Sequence, residues 1–448
     1  MRKALIIVFL MLALSFLIDA KFLDYGVFPI HGNWRNNDQS LVIPASYLAS
    51  GSGLFAKDFA INEYLSVYPS AIFKTLGLFY TIFGDMLAGY LSLLLALKAI
   101  FIFSTFFLSE RILGDEKKAL LATFALSLTH FMGVEEIGIS EVVAKSFAFA
   151  FFPALVYFLL KGNTKTVFAT LGIMAYFHVL SAIPLFLALS AYLLNEKRKG
   201  AIVPISIFVV IFLPFLYGNM ISEKPDIAFL KETAPYSSAV NGIAPILKYV
   251  PLLTIGLWGM KKHKLSLVAI AALAYSLISV LSLFSDALIP YSFFRAAKFA
   301  IYLSFIFFIP VIWTLTKNKY ARFGAMALLI VPFSSIHYSN ILFKNDLETQ
   351  DIMKIGEWVR ENSEANDIIA IPPQWPSLRG WSQRSVVITE NDLWIGAIKP
   401  SAKGEILKRY NAKSHAELEG YGAKYVIAYK DQLDTKLLFE SGNFRVYE

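Results

Sequence analysis

Apolar stretches long enough, or nearly long enough, to span a bilayer recur through the first three-quarters of the chain. Eleven are legible: residues 4–18, 87–108, 119–132, 145–160, 166–177, 179–194, 201–217, 244–259, 265–285, 297–315 and 323–343. Several fall short of the ~20 residues a perpendicular helix needs, and 166–194 reads either as two spans or as a broken pair. The first run follows Met-Arg-Lys, as a signal peptide would, but no small-x-small cleavage pattern comes after Ile18. It is therefore read as a retained helix.

The pattern changes at Phe343. Residues 344–448 carry 30 charged side chains in 105 positions and alternate between helical and strand-like periods. Ile352, Ile355, Trp358 and Val359 mark a helix over 349–362. Strand-like runs follow at 367–371, 385–389, 424–429 and 444–447, with helices predicted near 403–410, 415–420 and 431–439. The predicted fold class is a polytopic α-helical membrane protein of about 11 TM helices with a C-terminal extracytoplasmic α/β domain. Residues 1–343 form the multi-span transmembrane domain, including a long first outer loop (19–86), and residues 344–448 form the extracytoplasmic domain.

Composition agrees with this pattern. The 448 residues are 56% hydrophobic and 17% charged, with a mean hydropathy of +0.57, whereas soluble domains carry about 25% charged residues. Cysteine is absent, which excludes disulfides, thiolate metal sites and a cysteine nucleophile. The net charge of +8 does not imply nucleic acid, because residues 344–448 hold 14 Lys/Arg against 16 Asp/Glu. The positive excess belongs to the membrane part. With eleven spans, Arg2 and Lys3, Arg111, Lys117 and Lys118, Lys161 and Lys165, Lys197–Lys199, Lys261, Lys262 and Lys264, and Lys317, Lys319 and Arg322 all fall on one side. That is the cytoplasmic side by the positive-inside rule. The expectation is a multi-pass plasma-membrane protein with a cytoplasmic N-terminus, whose first loop and C-terminal domain face outward. Lys98 sits near the middle of a span, ~15 Å of helix from either end. It calls for a polar partner or a cavity, unless the span boundary lies elsewhere.

The first outer loop is unusually long and concentrates its polar residues. It contains His31 to Gln39, with Arg35 and Asp38, then Lys57 and Asp58, then Asn62, Glu63 and Tyr64. An amphipathic stretch over 71–83 follows and suits the membrane interface. The second outer loop carries Glu135, Glu136 and Glu141.

Several features together resemble the membrane-embedded glycosyltransferases termed GT-C. These are a first helix, a long outer loop with an early Asp, an interfacial helix, alternating spans and an outer α/β domain. The segments that carry the likeness are Asn37-Asp38-Gln39, His178 at a span junction, and Arg379-Gly-Trp-Ser-Gln-Arg384. The chain has no Trp-Trp-Asp-Tyr-Gly motif, for which Gln374-Trp375-Pro376 is no substitute. It also lacks the adjacent Asp-Glu pair of the protein mannosyltransferases. The resemblance implies a GT-C-like fold and transfer of a sugar from a polyprenyl-phosphate donor to a glycan, lipid or protein acceptor. The implied partners are membrane lipid, that donor and that acceptor, with no nucleic acid.

The chemistry assigns candidate roles within that frame. A lipid phosphate leaves readily, so the site needs cations to stabilise it and a base to take the acceptor's proton. Asp38 is the first candidate for the base, with inversion at the anomeric carbon, and Asp58 and Glu63 come next. A structural alternative is that Asp38 caps a helix beginning at Ser40. Candidate phosphate-binding cations are Arg295 and Lys298, three residues apart at the start of a span, with Arg35 and Lys57 from the first loop. Snorkelling to lipid headgroups is the alternative for the span pair. Candidate substrate contacts are His178, Arg379, Arg384 and Lys98. Glu135, Glu136 and Glu141 are candidate ligands for Mg²⁺ or Mn²⁺, against a simple hydrophilic reversal and metal-independent chemistry. Two other functions fit the same organisation: a transporter or flippase of lipid-linked saccharides, and a non-catalytic saccharide-binding assembly protein.

Overall fold

The computed structural model describes residues 2–22, 39–68, 70–128, 131–132, 135–136, 142–196, 200–220, 223–233, 246–247, 249–261, 264–281, 284–291, 293–315, 318 and 347–448. In chain order the helices are α1 (Arg2–Phe22), α2 (Gln39–Ala49), α3 (Phe59–Val67), α4 (Ala71–Phe83), α5 (Met86–Leu113) and α6 (Glu116–Leu128). Next come α7 (Ala144–Leu160), α8 (Thr164–Glu196), α9 (Ile202–Met220), α10 (Ile227–Thr233), α11 (Val250–Met260), α12 (Ser266–Leu281) and α13 (Ala297–Leu315). The C-terminal helices are α14 (Leu347–Asn362), α15 (Ser377–Ser382), α16 (Leu393–Ile398), α17 (Pro400–Asn411) and α18 (His415–Gly420). The strands are β1 (Phe131–Met132), β2 (Glu135–Glu136), β3 (Ile368–Ala370), β4 (Ser385–Val386), β5 (Ala423–Tyr429), β6 (Leu437–Ser441) and β7 (Phe444–Tyr447).

These elements gather into two compact units. One comprises Met1–Ile18, Leu94–Ile221 and Pro235–Tyr338; the other comprises Asp19–Leu93, Ser222–Ala234 and Ser339–Glu448. The second unit therefore holds the first loop and a second, shorter segment together with the C-terminal α/β part, a grouping not expected from a division at residue 343.

The first unit is an apolar helical bundle. Every expected run except 323–343, which lies outside the described residues, coincides at least in part with a helix. Met86–Leu113, Thr164–Glu196 and Phe293–Val311 are long and apolar enough to cross a membrane, and shorter apolar helices accompany them. Thr164–Glu196 is not one rod. His178 has φ −152° and ψ 91°, outside the helical region. The rings of Phe168 and Phe186 lie 6.0 Å apart, whereas a straight helix would separate these residues by ~27 Å. The two arms fold back on each other, as the broken-pair reading of 166–194 allows. Aromatic side chains fill the bundle. Phe101, Phe149 and Tyr302 meet at 5.7–5.8 Å, and the Tyr302 hydroxyl lies 2.7 Å from Thr105 Oγ1. Outward-facing Val210, Leu213, Tyr217 and Trp258 are heavily exposed, as suits a surface solvated by lipid.

The second unit is built on a five-stranded sheet in the order β4-β3-β5-β7-β6. β3 pairs parallel with β4 and β5, while β7 pairs antiparallel with β5 and β6. Ile352, Ile355 and Val359 of α14 and Leu378 of α15 share one core with Ile369, Val386, Ile427, Phe444 and Val446 of the sheet. The helix expected over 431–439 is instead a connection into the edge strand β6. Backbone pairing with β7 through the turn after Ser441 overrides the local helical pattern. The expected strand over 385–389 pairs only at Ser385–Val386 before the chain turns.

Among the described glycines of the bundle, Gly256 makes the tightest helix contact. A Cβ at Gly256 of α11 would lie 2.4 Å from the Ser304 side chain and 2.5 Å from its Cα on α13. Gly256→Ala should therefore force these helices apart and cost ~1–3 kcal/mol. Gly404→Ala, in α17 with nothing within 4 Å, should instead be neutral or stabilising by up to ~1 kcal/mol. Melting of the detergent-solubilised variants checks the pair, and equal effects would contradict this account of the packing.

Candidate functional site

The polar centre of the second unit forms where α3 begins. Asp58 caps that helix, accepting a hydrogen bond from the Ile61 amide at 3.0 Å. Its other oxygen accepts from the Val386 amide at 3.1 Å, on β4. Arg379 of α15 approaches the same carboxylate, with Nε 3.0 Å from Asp58 Oδ2. The guanidinium then forms a two-pronged pair with Asp392, donating from Nη1 to Oδ1 at 2.9 Å and from Nη2 to Oδ2 at 2.6 Å. Asp392 also accepts from the Thr389 amide at 2.7 Å, closing a capping box ahead of α16. All three charged side chains are completely buried.

Two carboxylates on one guanidinium leave the cluster formally negative. Burial pushes the Asp58 carboxyl above its ordinary value and Asp392 adds to this, while Arg379 and the two amides pull it down. Burial alone would lower the Arg379 pKa, but the two carboxylates outweigh it and hold the group firmly charged.

Around this centre the first loop docks on the C-terminal part. Glu63 pairs with Lys399, which also reaches Ser66 Oγ at 3.0 Å. Tyr64 meets Trp394 edge-on at 5.5 Å, and the Arg409 guanidinium lies 4.7 Å from both Phe59 and Tyr421. Residues 223–233 dock on the same helices. Glu223 accepts from the Ser401 amide at 2.8 Å and from its hydroxyl. The Asp226 amide donates to Ala397 O at 2.7 Å, and the Asp226 carboxylate accepts from Lys403 at 2.7 Å. Gly396 of α16 admits the Phe229 ring here, since a Cβ would sit 3.3 Å from it.

The sequence candidates thus have distinct locations. Asp58 and Arg379, expected as a second candidate base and a substrate contact, meet as a fully buried ion pair. Glu63 is held by Lys399. Lys57 is exposed. Arg384 is nearly buried and donates to Ser363 Oγ, Ser363 O and Arg360 O at 2.7–2.8 Å. It thereby closes the end of α14 rather than reaching for substrate. In the bundle, Lys298 is buried, with Nζ 5.5 Å from the Phe149 ring and 5.6 Å from Phe299. Arg295 is half-buried in a 3₁₀ turn before α13. Lys98 is buried and donates to Ser15 Oγ at 2.8 Å, which supplies the polar partner a mid-span charge requires. His178 stands at the α8 reversal, its Nδ1 2.8 Å from Ser181 Oγ. Asp38, Arg35 and Glu141 lie outside the described residues. Glu135 and Glu136 belong to the antiparallel β1–β2 pair, with side chains outside the description. Among the described residues no group of three His, Cys, Asp or Glu is placed to hold a metal.

Sequence reasoning missed Asp392, Lys399 and the 223–233 segment. Asp392 carried one readable signal, the Thr389-x-x-Asp392 capping pattern.

With this geometry established, the fold can be placed. It is similar to the folds of ArnT and of an archaeal oligosaccharyltransferase. ArnT from Cupriavidus metallidurans in the apo state is similar over 97% of both chains, with a TM-score of 0.55 and 13% identity. The same protein bound to undecaprenyl phosphate gives 0.54 and 13% identity, covering 98% of this chain and 97% of that one. The Archaeoglobus fulgidus oligosaccharyltransferase, tethered to an acceptor peptide containing the NVT sequon, gives 0.51 and 12% identity, covering 94% of this chain and 69% of that one. Residues 350–393 match a domain of unknown function, DUF6798. No curated protein matches the chain by sequence.

The buried cluster and the docked segment each make a prediction. Arg379→Met strands two buried carboxylates and should cost ~3–5 kcal/mol, read as loss of folded protein in a denaturant titration. Wild-type stability of that variant would refute the assigned role. The Ser401 hydroxyl and amide hold the Glu223 carboxyl below its ordinary value, as Lys403 and the Phe229 amide do for Asp226. A depressed folded pKa contributes stability above the unfolded value that is lost as pH falls through the folded one. Docking of 223–233 should therefore be complete at neutral pH and weaken below about pH 4. Hydrogen exchange at the Ser401 and Phe229 amides, corrected for intrinsic rates, should rise there; unchanged protection would count against these contacts.

Proposed function

We propose that the protein is an inverting glycosyltransferase that moves a sugar from a polyprenyl-phosphate donor to an acceptor at the outer membrane face. One observation carries the reading: the described part of the first loop packs within the C-terminal unit, secured by Asp58 and Arg379 through buried charge. That construction suits a loop whose job is to hold a reacting group in place rather than to connect two spans. The undecaprenyl phosphate bound to the structurally similar ArnT supports a polyprenyl-phosphate carrier, and the acceptor stays open among glycan, lipid and protein.

In this mechanism the acceptor oxygen attacks the anomeric carbon as the bond from that carbon to the phosphate oxygen breaks. Polyprenyl phosphate departs with the electron pair, and Asp38 takes the acceptor's proton. Asp38 directly precedes α2 in the sequence, in the same loop whose α3 is capped by Asp58. Asp58 is then a positioning residue. Lys298 and Arg295 are the proposed cations for the leaving phosphate; a lysine removed from water and flanked by aromatic rings stabilises an anion more than a solvated one does. Arg35 and Lys57 are the proposed additional cations, and His178 the proposed substrate contact in the bundle. Glu135, Glu136 and Glu141 are the proposed ligands for a divalent ion.

The test is genetic and chemical. Cells lacking the protein should lose one sugar from a surface or lipid-linked glycan, visible by mass spectrometry. Wild type should restore it, and Asp38→Asn should fall short by about 10²–10⁴-fold in rate at equal protein level. Full restoration by Asp38→Asn would remove Asp38 as the base, and an unchanged glycan profile in the deletion would remove the transferase reading.

A further inference from the structure

One polar cluster in the second unit is not used by the mechanism. Gln383, the residue after α15, adopts φ 51° and ψ 40°, a left-handed conformation that glycine holds without steric conflict. A non-glycine residue in that conformation carries a small backbone cost, which draws attention to what its side chain does. Its amide Nε2 lies 3.4 Å from the Tyr47 hydroxyl on α2. The Tyr80 ring of α4 packs edge-on against Tyr47 at 5.0 Å. Asp85 and Arg360 bring opposite charges to bear on the same hydroxyl. Asp85 spends one oxygen on the Ala88 amide at 2.7 Å. Among the described residues, the exposed Arg360 side chain forms no ion pair or hydrogen bond, and none reaches Gln383 Oε1 or the Tyr80 hydroxyl.

We propose that Gln383, Tyr47, Tyr80, Asp85 and Arg360 form a binding subsite for the hydroxyl groups of a saccharide. The composition selects this ligand class. Asp85 and Arg360 oppose each other, and Arg384, the further cation beside Arg360, faces Asp367 and is spent on backbone carbonyls, so the surface favours neither phosphate nor a metal cation. Two phenols and an amide supply neutral donors and acceptors, and the half-buried Tyr80 ring, backed by the buried Tyr47, offers an apolar surface to sugar C–H groups. Burial, with Tyr80 and Asp85, raises the Tyr47 pKa, keeping that hydroxyl protonated as a donor. The inference deepens the transferase reading and rests on it for the saccharide's source, which is either the lipid-linked donor or the acceptor.

The test uses full-length detergent-solubilised protein and soluble mannan-, chitin- and starch-type oligosaccharides as probes, with binding read by saturation-transfer NMR. Wild type should bind at least one series. Gln383→Gly should melt at the same or a higher temperature and bind about tenfold more weakly, as should Arg360→Met, which alters only an exposed side chain. No binding by wild type, or wild-type affinity in both variants, overturns the subsite. In the transfer assay, a raised KM for the acceptor alone assigns the site to the acceptor, and a raised KM for the lipid-linked donor alone assigns it to the donor. Binding without any transfer would sink the transferase reading and leave the subsite standing. Transfer with an unchanged KM for both substrates in Gln383→Gly would sink the subsite alone.

Discussion

The second unit depends on the burial of the Arg379 guanidinium between Asp58 and Asp392. A charge removed from water is tolerated only when its hydrogen-bonding capacity is met with good geometry. Here the partners come from two places far apart in the chain: the cap of α3 and the residue before α16. Each partner is also the start of a helix. Satisfying the charge therefore fixes the directions of α3 and α16 together, and the docking of Glu63, Tyr64 and residues 223–233 follows from where those helices point.

α16 has a central place in this arrangement. It is only six residues long, too short to be stable alone, yet it contacts the first loop through Trp394 and the 223–233 segment through Gly396 and Ala397. Its stability is borrowed from both neighbours and from the turn ahead of it, which Asp392 holds through Arg379 and the Thr389 amide. The two docked segments consequently share one support, and a disturbance of either is felt by the other through a single turn of helix.

The bundle was largely legible in the sequence because lipid imposes one rule on every span: long apolar runs with internally satisfied backbones. Even the ambiguous 166–194 run is resolved by one residue, His178, where the expected pair of arms meets. The candidate site was far less legible. An arginine in a segment with 14 basic residues reads as solvated, and an acid in an outer loop does too. Only their encounter turns both inward. Arg384 misled for a related reason, since the carbonyls it serves at the end of α14 cannot be inferred from spacing. The 431–439 segment was misread because a local helical pattern carries no information about an edge waiting to be paired. The Thr389–Asp392 cap, by contrast, was written in plain local pattern.

The ion pair between Asp58 and Arg379 joins residues 321 positions apart. At synthesis rates of about 5–20 residues per second, the arginine is made roughly 15–60 s after its carboxylate. Throughout that interval α3 is present without the charge that allows its cap to leave water. The first loop therefore cannot mature in the order of its synthesis; it waits, hydrated, while the intervening helices are made. Completion of the second unit is in this sense a report that the ribosome has reached the last sixth of the chain, and a truncated product would carry an unfinished loop.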